Sequence, residues 1–210
     1  VEKVWNDKED QDGKRPGSVT VKLLADKVDT GKTLELNSTN QWKGNFEDLD
    51  EYKGGKKIEY TLEEVTVSGY TTSITKSSNG YVVTNSHTPE TTEVSGKKTW
   101  NDKEDQDGKR PKEITINLYA DGVKKDSKKV TASENWSWKF DNLAKYAKGQ
   151  LINYTITEDV VKDYTSDVSG YNVTNTYTPG KTSVSVEKVW NDKEDQDGKR
   201  PGSVTVKLLA

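Results

Sequence analysis

The 210-residue chain repeats itself, and repetition limits its possible folds more than any other feature. Residues 1–25 (VEKVWNDKEDQDGKRPGSVTVKLLA) return unchanged as 186–210, an offset of 186 − 1 = 185 residues. Between these copies, WNDKEDQDGKRP at 5–16 recurs at 100–111. NFEDLDEY (45–52) matches KFDNLAKY (139–146), IEYTLEE (58–64) matches INYTITE (152–158), and YVVTNSHTP (81–89) matches YNVTNTYTP (171–179). Two complete units therefore span 1–90 and 91–180, and 181–210 begins a third. Such a chain is expected to be a piece of a tandem array.

Each unit reads as all-β. Val19, Val21 and Leu23 alternate with polar residues, as do Ile114, Ile116 and Leu118. Asp121-Gly122 is a two-residue hairpin signal. The first unit has Asp26-Lys27 there and runs on through Asp29-Thr30-Gly31, which predicts a longer hairpin. Residues 143–148 carry a weak signal for one helical turn. Several short strands in about 90 residues suggest an Ig-like β-sandwich. Only 30% of residues are hydrophobic against 32% charged, so the cores must be thin, but a net charge of −3 and 9% aromatics keep the chain on the ordered side.

Composition also excludes functions. Without cysteine there are no disulfides or thiolate metal sites. His87 is the only histidine, so no zinc site or histidine-based catalytic triad exists; it is expected at the surface. The acidic loop 6–16 fails as a calcium loop: with Gly13 at the sixth position, Lys8 and Val19 would occupy the first and twelfth. A polar, solvated connection is expected there, and no cofactor or metal is implied. Charge forms no basic stripe for nucleic acid. No apolar run is long enough to span a membrane, and no signal peptide begins at Val1. Trp42, Trp136, Trp138, Phe46 and Phe140 are expected in the cores.

The alternation places three polar residues on inward faces of each unit. Val1, Lys3 and Trp5 share a face, as do Gly96, Lys98 and Trp100, and in the third copy Val184, Val186, Lys188 and Trp190. A later strand aligns Ile58, Tyr60, Leu62 and Glu64, and Ile152, Tyr154, Ile156 and Glu158. A one-residue slip would exchange Glu64 for Glu63, but Thr157 and Asp159 flank Glu158 and favour Glu64. The last strand aligns Tyr81, Val83 and Asn85, and Tyr171, Val173, Asn175 and Tyr177. Unpaired buried charge costs several kcal/mol, so these groups must meet or change state. They can form a Lys–Glu ion pair completed by Asn. Alternatively, burial neutralises both charges, and the neutral amine attacks the Asn carboxamide with Glu as proton shuttle.

The pattern K-x-W-x-D…DGKRP, then Y-T-x-x-E, then V-T-N, resembles the Cna B-type domains of Gram-positive surface proteins, over both full units and the partial third. That resemblance implies inverse Ig-like sandwiches forming a stalk, with a Lys–Asn isopeptide bond joining the first and last strands. It assigns the bonded pairs Lys3–Asn85 and Lys98–Asn175 and the promoting acids Glu64 and Glu158. Lys188 matches the lysine position, but its partners lie beyond residue 210, so it is expected unbonded in a tail that is disordered or a stub. The implied setting is an extracellular, wall-anchored spacer at the bacterial surface. Its partners would be neighbouring repeats of the same chain and a separate collagen-binding region. The bond is a single-turnover event, so the chain is not expected to be an enzyme. A competing expectation is an adhesive module that itself binds a host extracellular protein, which would need an exposed apolar patch.

Overall fold

A computed structural model describes all residues, Val1–Ala210. The first unit comprises β1 (Glu2–Asn6), β2 (Ser18–Ala25), β3 (Val28–Asn37), β4 (Tyr52–Lys53), β5 (Lys56–Lys57), β6 (Tyr60–Glu64), β7 (Thr71–Ser77) and β8 (Gly80–Ser86). The second comprises β9 (Thr91–Asn101), β10 (Glu113–Ala120), β11 (Val123–Thr131), β12 (Ser137–Ala144), β13 (Tyr146–Ala147), β14 (Gln150–Leu151), β15 (Tyr154–Glu158), β16 (Thr165–Ser169) and β17 (Asn172–Thr176).

In each unit two sheets carry the core. The first unit has β1-β8-β7 and β3-β2-β6; the second has β12-β9-β17-β16 and β11-β10-β15. The first strand of each unit lies parallel to the last, β1 beside β8 and β9 beside β17. Parallel neighbours need a long connection, and here the rest of the unit provides it. The first and last strands of a unit are thus held side by side, with the chain entering at one end of the pair and leaving at the other.

The cores differ in size for a local reason. In the second unit the leading half of β9 pairs with β12, and Val94 packs beneath at 1% exposure. In the first unit β1 begins at Glu2, and its pairing with the counterpart of β12 shrinks to one bridge, Glu2 to Lys43. The second core gathers ten buried apolar residues and the first only four.

Two local expectations need correction. The first hairpin is not longer: Asp26 and Lys27, both left-handed (φ 48° and 69°), form a two-residue turn with Ala25 opposite Val28. The extra residues are absorbed in a bulge where Thr30 Oγ1 donates to the Leu23 carbonyl at 2.8 Å. Residues 143–148 are strand and turn rather than helix, because β12 and the β13–β14 hairpin take up that backbone. The only helical turn is a 3-10 turn at Ala132–Glu134.

The acidic loop is polar and solvated as expected at Asn6, Lys8, Glu9 and Lys14, and it is also tied into an ordered knot around a buried aspartate. Asp7 is 2% exposed. Its carboxylate accepts from Arg15 Nε at 3.1 Å, Arg15 Nη2 at 2.6 Å, the Asp10 amide at 3.0 Å and the Tyr70 hydroxyl at 2.8 Å. These bonds hold Lys8, Glu9 and Asp10 in a left-handed turn (φ 51–60°), a conformation that costs about 1–2 kcal/mol per residue unless enforced. Asp102, Arg110 and Tyr164 repeat the arrangement.

No strand forms after Thr176. Val186 and Val189 are 65% and 71% exposed although their sequence copies that of β1.

Candidate functional site

Lys3 and Asn85 come from adjacent strands of one sheet and Glu64 from the facing sheet. In the parallel β1–β8 register Lys3 stands beside Val83 and Trp5 beside Asn85, so period-2 alternation puts Lys3 and Asn85 on one face. The side chains of Lys3 and Glu64 are fully buried, and so is Asn85. Glu63, one residue away, is exposed.

Lys3 Nζ lies 3.4 Å from Glu64 Oε1, yet that oxygen has no hydrogen-bond partner, so the pair is proximal rather than bonded. Nζ donates long hydrogen bonds to the carbonyls of Val4 and Val83, at 3.3 and 3.4 Å. Trp5 flanks the amine at 4.3 Å from its ring centre, and Trp42 and Tyr70 pack edge-on against that ring at 5.2 and 5.1 Å. Burial drives the Lys3 pKa down from 10.5 to about 8, against the opposing pull of Glu64.

Thr72 connects the other two groups. Its hydroxyl oxygen stands 2.6 Å from Glu64 Oε2 and 2.9 Å from Asn85 Oδ1. A hydroxyl carries one proton. Thr72 can donate it to the Glu64 carboxyl oxygen or to the Asn85 carboxamide oxygen, or share it between the two. Thr72 thus links the Glu64 carboxyl to the Asn85 carboxamide oxygen, while Asn85 Nδ2 has no partner.

The second unit places the homologous residues likewise. Lys98 stands beside Val173 and Trp100 beside Asn175. Here, unlike Lys3, Lys98 Nζ donates directly to Glu158 Oε1 at 2.6 Å, with their side chains 0% and 1% exposed. Burial again lowers the lysine pKa, and Glu158 opposes it. Asn175 is 0% exposed, and neither its Oδ1 nor its Nδ2 has a hydrogen-bond partner. A buried carboxamide with both ends unpaired is a rare and costly arrangement. Ser166 faces Asn175 in the register where Thr72 faces Asn85.

Lys188 stands apart from these sets. Its Nζ donates to the carbonyl of Val189 at 2.7 Å and lies 3.9 Å from the Trp190 ring centre.

The alternation rule did not reveal Thr72 or the Asp7–Arg15–Tyr70 cluster. Thr72 bears no pattern of its own; only the β7–β8 register brings it to Asn85. Asp7 and Arg15 had a readable signal in the recurrence of WND and KRP in all three copies. His87 follows the end of β8 as expected but is half-buried rather than free at the surface: its side chain is 10% exposed, with Nε2 2.9 Å from Asp12 and Nδ1 2.9 Å from the Gly69 carbonyl.

A family profile described as the Cna protein B-type domain matches residues 1–86, 94–176 and 184–210. The chain is 50% identical over 210 residues to the collagen adhesin of Staphylococcus aureus, covering 99% of this chain and 18% of that protein. It superposes on a crystal structure of two B repeat units of the collagen binding protein of Staphylococcus aureus with a TM-score of 0.80. The identity is 48%, over 96% of this chain and 54% of the other. The chain thus spans a small part of the relative and about half of the solved fragment. Sequence and architecture agree, and the chain belongs to the Cna protein B-type domain family.

Proposed function

We propose that the chain is a run of spacer repeats from a bacterial surface adhesin, each complete repeat closed by its own Lys–Asn isopeptide bond. The units are 1–90 and 91–180, with 181–210 opening a third. The observation that carries the reading is the joint burial of Lys, Glu and Asn, with the Asn175 carboxamide bonded to nothing at either end.

The chemistry balances without a cofactor. Neutral Lys3 Nζ attacks Cγ of Asn85 while Glu64, through Thr72, protonates the carboxamide oxygen side. The Cγ–Nδ2 bond then breaks, and the proton lost by Nζ leaves with Nδ2 as ammonia, relayed by the glutamate. Lys98, Glu158 and Asn175 perform the same step. Each set reacts once, so the product is a cross-link and not turnover.

The bond suits a stalk because it joins parallel neighbours, β1 to β8 and β9 to β17. Tension entering a unit by its first strand leaves by its last across one amide, and the sheets between carry little of it. The name of the relative supports the wider reading: a separate collagen-binding region held away from a cell wall, outside the cell, with neighbouring repeats as the immediate partners. Intact mass tests the bond. Two bonds lower the mass by about 34 Da, and Lys3→Ala halves that deficit; a chain of unmodified mass refutes it.

A further inference from the structure

The two units meet at a pair of glycines. Gly13, left-handed at φ 66°, faces Gly149 of the β13–β14 turn so closely that a Cβ on Gly13 would lie 2.5 Å from the Gly149 Cα. Around this contact the Gly149 amide donates to the Gln11 carbonyl at 3.0 Å, and the Lys145 amide to the Glu90 carbonyl at 3.1 Å. Asp12 Oδ2 accepts from the Glu90 amide at 2.8 Å and stands 2.9 Å from His87 Nε2. Glu90 in turn bridges Lys14 of the first unit and Lys145 of the second, at 3.0 and 2.8 Å.

The second unit carries the same socket with nothing in it. Asp107 Oδ2 accepts from the Tyr177 hydroxyl at 2.9 Å and the Gly180 amide at 2.8 Å, repeating the bonds of Asp12 with His87 and Glu90. Gly108 has φ 64°, as Gly13 does, and open space beside it. The first unit likewise presents an unused counterpart of the inserting turn, Gly54-Gly55, also left-handed and open.

We infer that the Asp-Gly corner of this loop is the surface on which each repeat seats the glycine turn of its follower, and that Asp107-Gly108 is a preformed seat for one further repeat of the same kind. The inference rests on the spacer reading and deepens it: the seat fixes the angle between successive repeats, so the array behaves as a stiff rod. Only glycine fits, because any side chain would hold the two backbones apart. The charge bridge at Glu90 is particular to the first joint, since Gly180 takes its place in the second.

The chain has no cysteine, so spin labels on Ser73→Cys and Ser127→Cys, at exposed strand positions in the two units, report the interdomain distance uniquely. Gly13→Ala should at least double the width of that distance distribution, and Gly108→Ala should leave it unchanged. Both alanines suffer the same left-handed strain, so only the contact with Gly149 differs. Equal widths for the two variants overturn the inference. In a chain continued through a complete third repeat, Gly108→Ala should broaden the distance between the second and third units. An unchanged distribution there overturns the assignment of the vacant seat. Concentration-dependent dimerisation of the present chain, abolished by Gly108→Ala, would assign the seat to a second copy and overturn it too. The readout is independent of the cross-link: an unmodified mass with a narrow distribution removes the bond and leaves the joint.

Discussion

Asn175→Ala separates a cross-link from an ion pair more cleanly than changing either charged partner. Removing Lys98 or Glu158 strands a buried charge and costs about 3–5 kcal/mol under either reading. The Asn175 side chain makes no hydrogen bond, so if Lys98 and Glu158 merely pair, its truncation removes two unsatisfied atoms and changes stability by about 1 kcal/mol or less. If Asn175 is joined to Lys98, truncation opens a loop of 175 − 98 = 77 residue steps, worth about 4.5 kcal/mol in the chain-entropy model. Each 1.4 kcal/mol is a factor of ten, so the slowest-exchanging amides of β10 and β15 should exchange about 1,000-fold faster. Hydrogen-exchange mass spectrometry measures this unit by unit, with the first unit as internal reference. The intact mass should also show one ammonia fewer lost. Exchange within tenfold of the parent, with no change in the mass deficit, refutes the cross-link.

Three further outcomes follow from the geometry. Thr72→Val removes the hydroxyl between Glu64 and Asn85 and should slow ammonia loss from the first unit at least tenfold; the second unit, with Ser166 at that place, should react as before. With Lys3 at about 8, the neutral amine falls about tenfold per unit below that pH, to about 1% at pH 6; the first-unit reaction, timed by mass in chain refolded from inclusion bodies at pH 6, 7 and 8, should slow in proportion. Burial raises the Asp7 pKa but the Arg15 fork, the Asp10 amide and Tyr70 outweigh it, bringing it from 3.8 to about 2. The folded state therefore binds this proton less readily than the unfolded chain, and about 2 kcal/mol of stability, complete above about pH 4, is lost as pH falls through about 2. Asp7→Asn should flatten that part of the acid-unfolding profile, and an unchanged profile would show that Asp7 has no such role.

Much of the candidate site was legible before any coordinates, because an inward polar residue violates strand alternation and does so at matching places in both units. Lys3, Glu64 and Asn85, and their second-unit counterparts, were readable in this way. Thr72 was not, since its importance comes from lying opposite Asn85 in β7, and register between strands is a property of the folded sheet. The bond of His87 to Asp12 and the contact of Gly13 with Gly149 were hidden for the same reason: both join residues more than sixty positions apart.

One stretch of 25 residues separates what is local from what is not, because it occurs twice with the same sequence and two outcomes. In 186–210, as in 1–25, Asp192 holds Arg200 through its fork, the Asp195 amide donates to Asp192, and Lys193, Glu194 and Asp195 take the left-handed turn. That loop closes over contacts eight residues apart or fewer, so its own sequence is sufficient. The flanking segments become β1 and β2 at the start of the chain and no strand at its end. A strand satisfies its backbone only against a neighbour. For β1 that neighbour is β8, some eighty residues later, and the tail has none. Sequence determined which side chains would face inward; the tertiary pairing of first strand with last, and the facing sheet packed over it, decided which of them became neighbours.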